Sequence, residues 1–329
     1  YDICACLVGS EMCIRDRTSG AFSIDPQFKG AIYARAVDKA GNRSDVIQSD
    51  GFAVDDQSPT APTVTATVGG NSYNGDWTSG DIQLVASGAA ALSGIDHYEY
   101  KVGDSGAWTV LPAKSGATDS TSLQALSDTL TVGTDMNDNI HIRAVSNTGI
   151  LGAESIVTVK RDTVTPALHV GISGTLGQWT NSPVTFTLSN AAGNLSPVTY
   201  WVKTGSGDWQ QISGSTYTVT GNADDTYQFK AVSASGVEST ASDAYAVKLD
   251  ADTPGITVVG NPGAWTNQDV TLAVTTTVGL SGVRSVTVSR DGGSAVDITG
   301  QNTYSASGDG SYRFTVTNGT GAATSATVN

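Results

Sequence analysis

Apolar and polar residues alternate with a period of two along most of the chain. In Ile140–Ser146, the residues Ile140, Ile142 and Ala144 alternate with His141, Arg143 and Val145. In Tyr227–Ser233, Tyr227, Phe229 and Ala231 alternate with Gln228, Lys230 and Val232. Successive side chains of a strand point to opposite faces, so each segment reads as a strand with one buried and one wet face. The runs starting at Val184, Val198 and Ala244 behave likewise and are rich in β-branched and aromatic residues, which suit a pleated surface. Clusters of Gly, Asn, Asp and Ser separate these runs, and helical spacing is confined to Ser122–Asp128. Between 166 and 253 the pattern predicts strands near 167–172, 183–189, 198–204, 209–213, 216–220, 226–233 and 244–250. Short strands at this spacing predict an antiparallel β-sandwich, with Trp179, Phe186, Tyr227, Phe229 and Val247 in its core.

The same landmarks recur in a fixed order. WTS at Trp77–Ser79 returns as WTN at Trp179–Asn181 and Trp265–Asn267. An acidic residue four positions before a proline recurs as Asp55–Pro59, Asp162–Pro166 and Asp250–Pro254. Leu92-Ser93-Gly94 returns as Leu195-Ser196-Pro197 and Leu280-Ser281-Gly282. The segment from Ile32 (IYARAVDKAG) returns from Ile140, Tyr227 and Tyr312. These repeats divide the chain into the C-terminal half of a first copy, 18–58, then copies at 59–165, 166–253 and 254–329. The second copy carries an insertion within about 112–130. The first copy lacks its opening half and the last stops where its exit junction should begin, so the array is expected to belong to something longer.

Composition narrows the classes. Lys+Arg 17 against Asp+Glu 31 gives a net charge of −14, which opposes binding to nucleic-acid phosphates. No apolar run is long enough to span a membrane as a helix, so membrane insertion of this chain is not expected. The N-terminus shows no basic start followed by an apolar run, the mark of a signal peptide. The three cysteines, Cys4, Cys6 and Cys13, fall at the extreme N-terminus. They argue against a disulfide framework, which would be distributed through the fold. Residues 1–17 match no later copy, and the string CLVGSEMCIRDR resembles a translated sequencing-adapter fragment. The sequence reading therefore sets 1–17 apart as a non-native or disordered leader.

The ordered set of WTN/WTS, LSG, Ala36–Asn42 (AVDKAGN) and the Asp…Pro junctions resembles bacterial Ig-like repeats, the stalk modules of large surface adhesins and related secreted proteins. The resemblance covers essentially all of 18–329. It implies tandem Ig-like antiparallel β-sandwiches arranged as beads on a string. It also implies a non-catalytic extracellular role at a bacterial cell surface or in secretion, mediating projection and cell adhesion. A host-cell, matrix or glycan surface would be the ligand. The alternative is a set of accessory spacer or carbohydrate-binding modules of a secreted polysaccharide-degrading enzyme. The Asp-x-Ala-Gly-Asn loop is intact only in the first copy; later copies read SNTGI, SASGV and TNGTG.

Candidate chemistry is sparse. Histidine occurs only as His97, His141 and His169, all in strand-like text, and these are expected to be surface residues without a catalytic partner set. No catalytic or cofactor-binding residue is assigned, and the chain is expected not to be an enzyme. Calcium needs six to eight oxygen ligands. Asp55, Asp56, Asp162, Asp250 and Asp252 gather at the copy junctions and are the candidate calcium ligands, set against plain linker acids. The run DMNDN at Asp135–Asn139 imitates an EF-hand start, but Ile140 stands where glycine is needed and Ser146 where glutamate is. Tyr98, Tyr100, Trp108, Tyr200, Trp201 and Trp209 could stack on sugars, although core or structural use is the expectation.

Overall fold

The computed structural model describes residues 2–6, 23–111, 114–115 and 127–329. It falls into two compact units, Tyr1–Thr163 and Val164–Asn329. Among the described residues every regular element is a strand. The fold is all-β, a series of antiparallel β-sandwiches.

The third copy sets the plan. One sheet carries Leu168–Ser173, Val184–Asn190 and Thr216–Val219 in that order. The facing sheet runs Trp179–Thr180, Tyr245–Leu249, Ala223–Ser233, Val198–Thr204, Gln210–Gln211. The alternation read from the sequence is the alternation observed: Val184, Phe186, Leu188, Tyr227 and Phe229 are buried between the sheets with Val247 and Leu249. Phe186 stacks on Phe229 with ring centroids 4.8 Å apart and lies 5.6 Å from Tyr245. Each such ring pair adds roughly 0.5–1.5 kcal/mol to the area buried. The seven expected strands are present. An eighth, Trp179–Thr180, pairs in parallel with Lys248–Leu249. Trp179 therefore lies outside the central cluster, half-buried beneath the Lys248 ammonium at 5.3 Å, and is not the core residue the sequence suggested.

Threonine explains why this short strand stops. In the second, third and fourth copies the hydroxyl of the WT motif accepts the N–H two residues on: Gly80 to Thr78 (3.0 Å), Ser182 to Thr180 (3.1 Å), Gln268 to Thr266 (3.1 Å). The hydroxyl mimics a backbone carbonyl and turns the chain from one sheet to the other.

The second copy repeats the plan. Ile95–Val102, Met136–Ser146 and Ser155–Arg161 form one sheet with Thr109–Val110; Thr63–Val68, Ile82–Ser87 and Ser127–Val132 lie in the other. Its core holds Ile82, Leu84, Tyr98, Ile140, Ile142 and Val159. Ser127–Asp128, placed in a helical pattern by the sequence, begins a strand; 122–126 lie outside the described residues. Of the insertion, Lys114–Ser115 pairs with Ser127–Asp128, while 112–113 and 116–126 are likewise outside.

The fourth copy places Gly255–Val259, Val270–Thr277 and Thr303–Ala306 against Val296–Asp297, Val283–Arg290, Tyr312–Asn318 and Ala323–Val328. The first copy is represented by Phe28–Gly30 paired with Phe52–Val54 and Tyr33–Val37 paired with Ile47–Gln48. Asp2–Cys6, set apart with the leader above, pairs antiparallel with Tyr33–Val37, Ile3 opposite Ala36. In the second copy the corresponding Ala144 faces Tyr98, so these five residues occupy the edge that Ile95–Val102 holds there. An uncovered strand edge offers unpaired N–H and C=O groups to any extended segment.

Candidate functional site

The turn after the long strand is built alike in all four copies from different letters. Asp38 Oδ1 accepts the N–H of Asn42 (2.8 Å), Ser146 Oγ that of Ile150 (3.0 Å), Ser233 Oγ that of Val237 (3.1 Å), and Asn318 Oδ1 that of Ala322 (3.1 Å). The glycine three residues on has positive φ in each case: 89° at Gly41, 81° at Gly149, 86° at Gly236 and 91° at Gly321. A Cβ would be strained there, so the glycine is fixed while the acceptor varies among Asp, Ser and Asn. The loss of the carboxylate in later copies is thereby explained, since any short side-chain oxygen closes the turn. In the first copy, Asn42's side-chain and backbone bonds hold the Asp38 carboxyl below its ordinary pKa.

This turn braces the LSG turn of its own sandwich. Asn147 Nδ2 donates to the Ser93 carbonyl (2.7 Å), and Gly319 N–H donates to the Gly282 carbonyl (3.1 Å). Onto the LSG serine comes the aspartate of the preceding junction. Asp55 Oδ2 accepts both the N–H and the hydroxyl of Ser93, each at 2.8 Å. Asp250 Oδ2 accepts the N–H of Ser281 at 2.8 Å and its hydroxyl at 2.5 Å. Two landmarks that look unrelated in the sequence are thus the two halves of one clamp joining consecutive copies. Asp55 is 7% exposed and Asp250 fully buried. Asp162 holds the same place in the frame: its N–H donates to the Thr78 carbonyl (3.0 Å), as that of Asp250 does to Thr180 (2.9 Å). It too is fully buried.

Burial alone would raise the pKa of Asp55. The Ser93 amide and hydroxyl, the Gln57 amide and the Gln27 side chain outweigh it and hold the carboxyl below its ordinary value. For Asp250, burial is likewise outweighed by the Ser281 hydroxyl, the Ser281 amide and the Asp252 amide. Both groups remain charged at neutral pH, and their hydrogen bonds are charge-assisted.

The candidate calcium ligands fall into place around these clamps. Asp55 and Asp56 are bridged by Gln27 Nε2, at 3.2 and 2.8 Å. Asp252 Oδ2 accepts from Asn222 Nδ2 (2.6 Å), and Asp250 Oδ1 from the Asp252 amide (3.1 Å). N–H and O–H donors thus point at the lone pairs a cation would use. Among the described residues no group of three or more His, Cys, Asp or Glu side chains is placed to hold a metal ion. Asp135, the start of the EF-hand imitation, instead accepts from Arg161 (2.8 Å) and Thr163 (2.8 Å).

One expectation about side chains is corrected. His141 faces away from the core as its alternation requires, yet it is only 4% exposed. Its Nδ1 lies 2.8 Å from Glu154 and its Nε2 3.2 Å from Asp104, carboxylates from neighbouring segments. Trp108 and Trp209 are absent from the cores and lie on the outer face of their sheets. Arg143 covers Trp108 at 3.8 Å with Lys101 at 4.9 Å, and Lys230 lies 5.1 Å from Trp209 and 5.9 Å from Trp201. Tyr98, by contrast, is fully buried, and Tyr100 and Tyr200 pack against the cores.

Sheets, turns and clamps together define the class: an all-β chain of serially repeated antiparallel β-sandwiches. No protein-family model matches the chain, and no curated protein matches it. Among solved structures it is similar to a tetra-tandem repeat in the extending region of a large adhesion protein. That similarity is at 18% identity and TM-score 0.35, covering 91% of this chain and 81% of that one. Among the described residues no helix is long and apolar enough to cross a membrane.

Proposed function

We propose that the chain is a non-catalytic extracellular repeat region of a large bacterial surface or secreted protein, its modules serving projection and adhesion. The observation that carries this reading is the repeated clamp. A side chain leaving one sandwich is held in the LSG turn of the next, at both Asp55–Ser93 and Asp250–Ser281. Polar groups so placed transmit load from module to module, which a reactive pocket would not require. A host-cell, matrix or glycan surface is the ligand class this role implies. Stretching single molecules tests the mechanical part. Each intact module should release about 30 nm of chain, at ~3.5 Å per residue, in a discrete step. A featureless extension would overturn the reading. Adhesion is tested by coating beads with the chain and counting retention on cells or immobilised matrix.

The outward position of Trp108 and Trp209 favours a second reading, accessory carbohydrate-binding modules of a secreted polysaccharide-degrading enzyme. Aromatic faces on a sheet surface can stack on pyranose rings. Glycan-array binding that disappears in Trp209→Ala would favour it, and absence of any glycan signal would dismiss it.

A further inference from the structure

The third copy sorts its aromatic and basic side chains onto one sheet face. Its indoles are Trp179, Trp201 and Trp209, its lysines are Lys203, Lys230 and Lys248, and residues 166–253 contain no arginine. The register puts all six on the outer face. Trp201 stands opposite Lys230 and Gln211, and Lys203 opposite Gln228. Lys248 stands opposite Asp224 on one side and Trp179 on the other. Trp209, two residues before Gln211, lies 5.1 Å from Lys230 Nζ. Their strand neighbours Val202, Phe229, Val247 and Leu249 point the other way, into the core.

The acids are sorted differently. Asp224 and Glu238 sit at paired positions of this face. Asp225 is on the other side of its strand, opposite Val247; Asp208 and Asp243 fall outside the strands, and Asp250 and Asp252 belong to the junction. Three ammonium groups thus face two carboxylates, in a chain whose net charge is −14. Donors are left over. Lys230 Nζ donates to both oxygens of Glu238 at 2.8 Å, and Lys248 Nζ lies 3.1 Å from Asp224. An ammonium carries three N–H donors, so neither is saturated. Among the described residues Lys203 has no carboxylate partner, and Gln211 is exposed beside Trp201. The second copy differs. Glu99 holds Arg143 at 2.8 and 3.0 Å while the guanidinium covers Trp108, and Asp104 and Glu154 stand on the same face beside His141.

The third-copy face has two centres: Trp201 and Trp209 around Lys230, and Trp179 beside Lys248. Lys230 and Asp224, the partner of Lys248, are six positions apart on one strand, about 20 Å at ~3.3 Å per residue. We propose that this face binds a linear polysaccharide of uronic acids, lying along Ala223–Ser233 and touching both centres. The inference rests on the carbohydrate-binding reading above and narrows it to one copy and one class of sugar. The indoles stack on pyranose rings, the spare ammonium donors make charge-assisted bonds to sugar carboxylates, and the Gln211 amide meets hydroxyls. Neither centre is a pocket, so affinity comes from one chain engaging both.

Oligogalacturonides of defined length are titrated into the full 329-residue chain, with calorimetry and tryptophan emission as readouts. An octamer should bind saturably and at least tenfold more tightly than a trimer, because the longer chain reaches both centres. Its methyl ester, the same backbone without charge, should bind at least tenfold more weakly. Added salt should weaken the free-acid octamer, and less steeply in Lys203→Gln, which breaks no ion pair of the fold. Trp209→Ala and Trp179→Ala should each weaken it severalfold, with the melting temperature checking that the sandwich is folded. Equal binding of ester and free acid, or an effect of Trp108→Ala in place of Trp209→Ala, would overturn the proposal and leave the carbohydrate reading standing. Absence of binding by any glycan would overturn both. Equal displacement of the octamer by a DNA oligonucleotide would reduce the face to an unselective cationic patch and overturn the proposal as well.

Discussion

Replacing Asp250 by alanine removes one carboxylate and strands the donors that converge on it. Ser281 loses the acceptor for its amide and its hydroxyl, and Asp252 loses the acceptor for its amide. The hydroxyl of Ser281 can rotate toward water and the Asp252 amide lies at an exposed residue, so the main loss is the half-buried Ser281 amide and the charge-assisted character of the pair. Hydrogen bonds to charged groups are worth about 1.5–3 kcal/mol, and an unsatisfied buried donor costs about 1–3 kcal/mol. The expected loss is therefore about 2–4 kcal/mol, local to the junction and the LSG turn of the fourth copy. Site-resolved hydrogen exchange reads it directly. Protection of the Ser281 amide should fall about 30- to 700-fold at roughly 1.4 kcal/mol per decade. Phe229, in the third core, should keep its protection. Ser281→Ala removes only the hydroxyl donor and should cost about 1 kcal/mol. The double variant should show a coupling of at least about 1 kcal/mol, as groups in direct contact do. Strictly additive single losses, or a change below about 0.5 kcal/mol in Asp250→Ala, would refute the clamp.

The lowered carboxyl pKa values set a pH dependence. Asp55 and Asp250 titrate below their ordinary value in the folded state, so their contribution is complete above about pH 4 and is lost as pH falls through the depressed native values. Acid titration of the melting temperature should show this loss in the native chain and a flatter slope in Asp55→Ala/Asp250→Ala. Adding calcium or EDTA at neutral pH should leave the melting temperature unchanged, because hydrogen-bond donors already face the junction carboxylates; a rise of several degrees with calcium would show that these acids rearrange around an ion. Phe229→Ala, at a fully buried ring packed on Phe186, should cost about 3–5 kcal/mol. Calorimetry should show the transition of the third copy shifted down, with that of the second unmoved.

The strands were legible because their signal is local. A period of two over six residues, bounded by turn residues, needs no knowledge of the rest of the chain, and Val184–Asn190 and Ala223–Ser233 follow it closely. Trp179–Thr180 was missed because a two-residue parallel pairing has no period to read; its only local trace is the threonine that closes the turn. Whether Trp108 and Trp209 would lie in the core or on an outer face was not legible for a related reason. Alternation says which residues share a face, but which face meets the opposing sheet depends on partners distant in sequence. The carboxylates beside His141 were hidden in the same way, because Asp104 and Glu154 arrive from neighbouring segments. The clamp was present in the sequence as two recurring landmarks, the junction aspartate and the LSG serine. Nothing local said that they touch.

What the copies keep and what they let vary then follows from how many solutions each contact admits. Closing the turn after the long strand requires only a short oxygen acceptor, and Asp38, Ser146, Ser233 and Asn318 all supply one. The clamp is more demanding. Its donor side must present an amide and a hydroxyl to the same oxygen, which serine does and glycine or alanine cannot. A carboxylate accepts stronger, charge-assisted bonds from these donors than a neutral amide oxygen does, which favours aspartate over asparagine. The aspartate–serine pairing accordingly stands unchanged at Asp55–Ser93 and Asp250–Ser281 while the neighbouring letters drift. The WT motif belongs with the clamp, because Asp250 N–H is held by the Thr180 carbonyl and the parallel strand thereby aims the carboxylate out of its own sandwich.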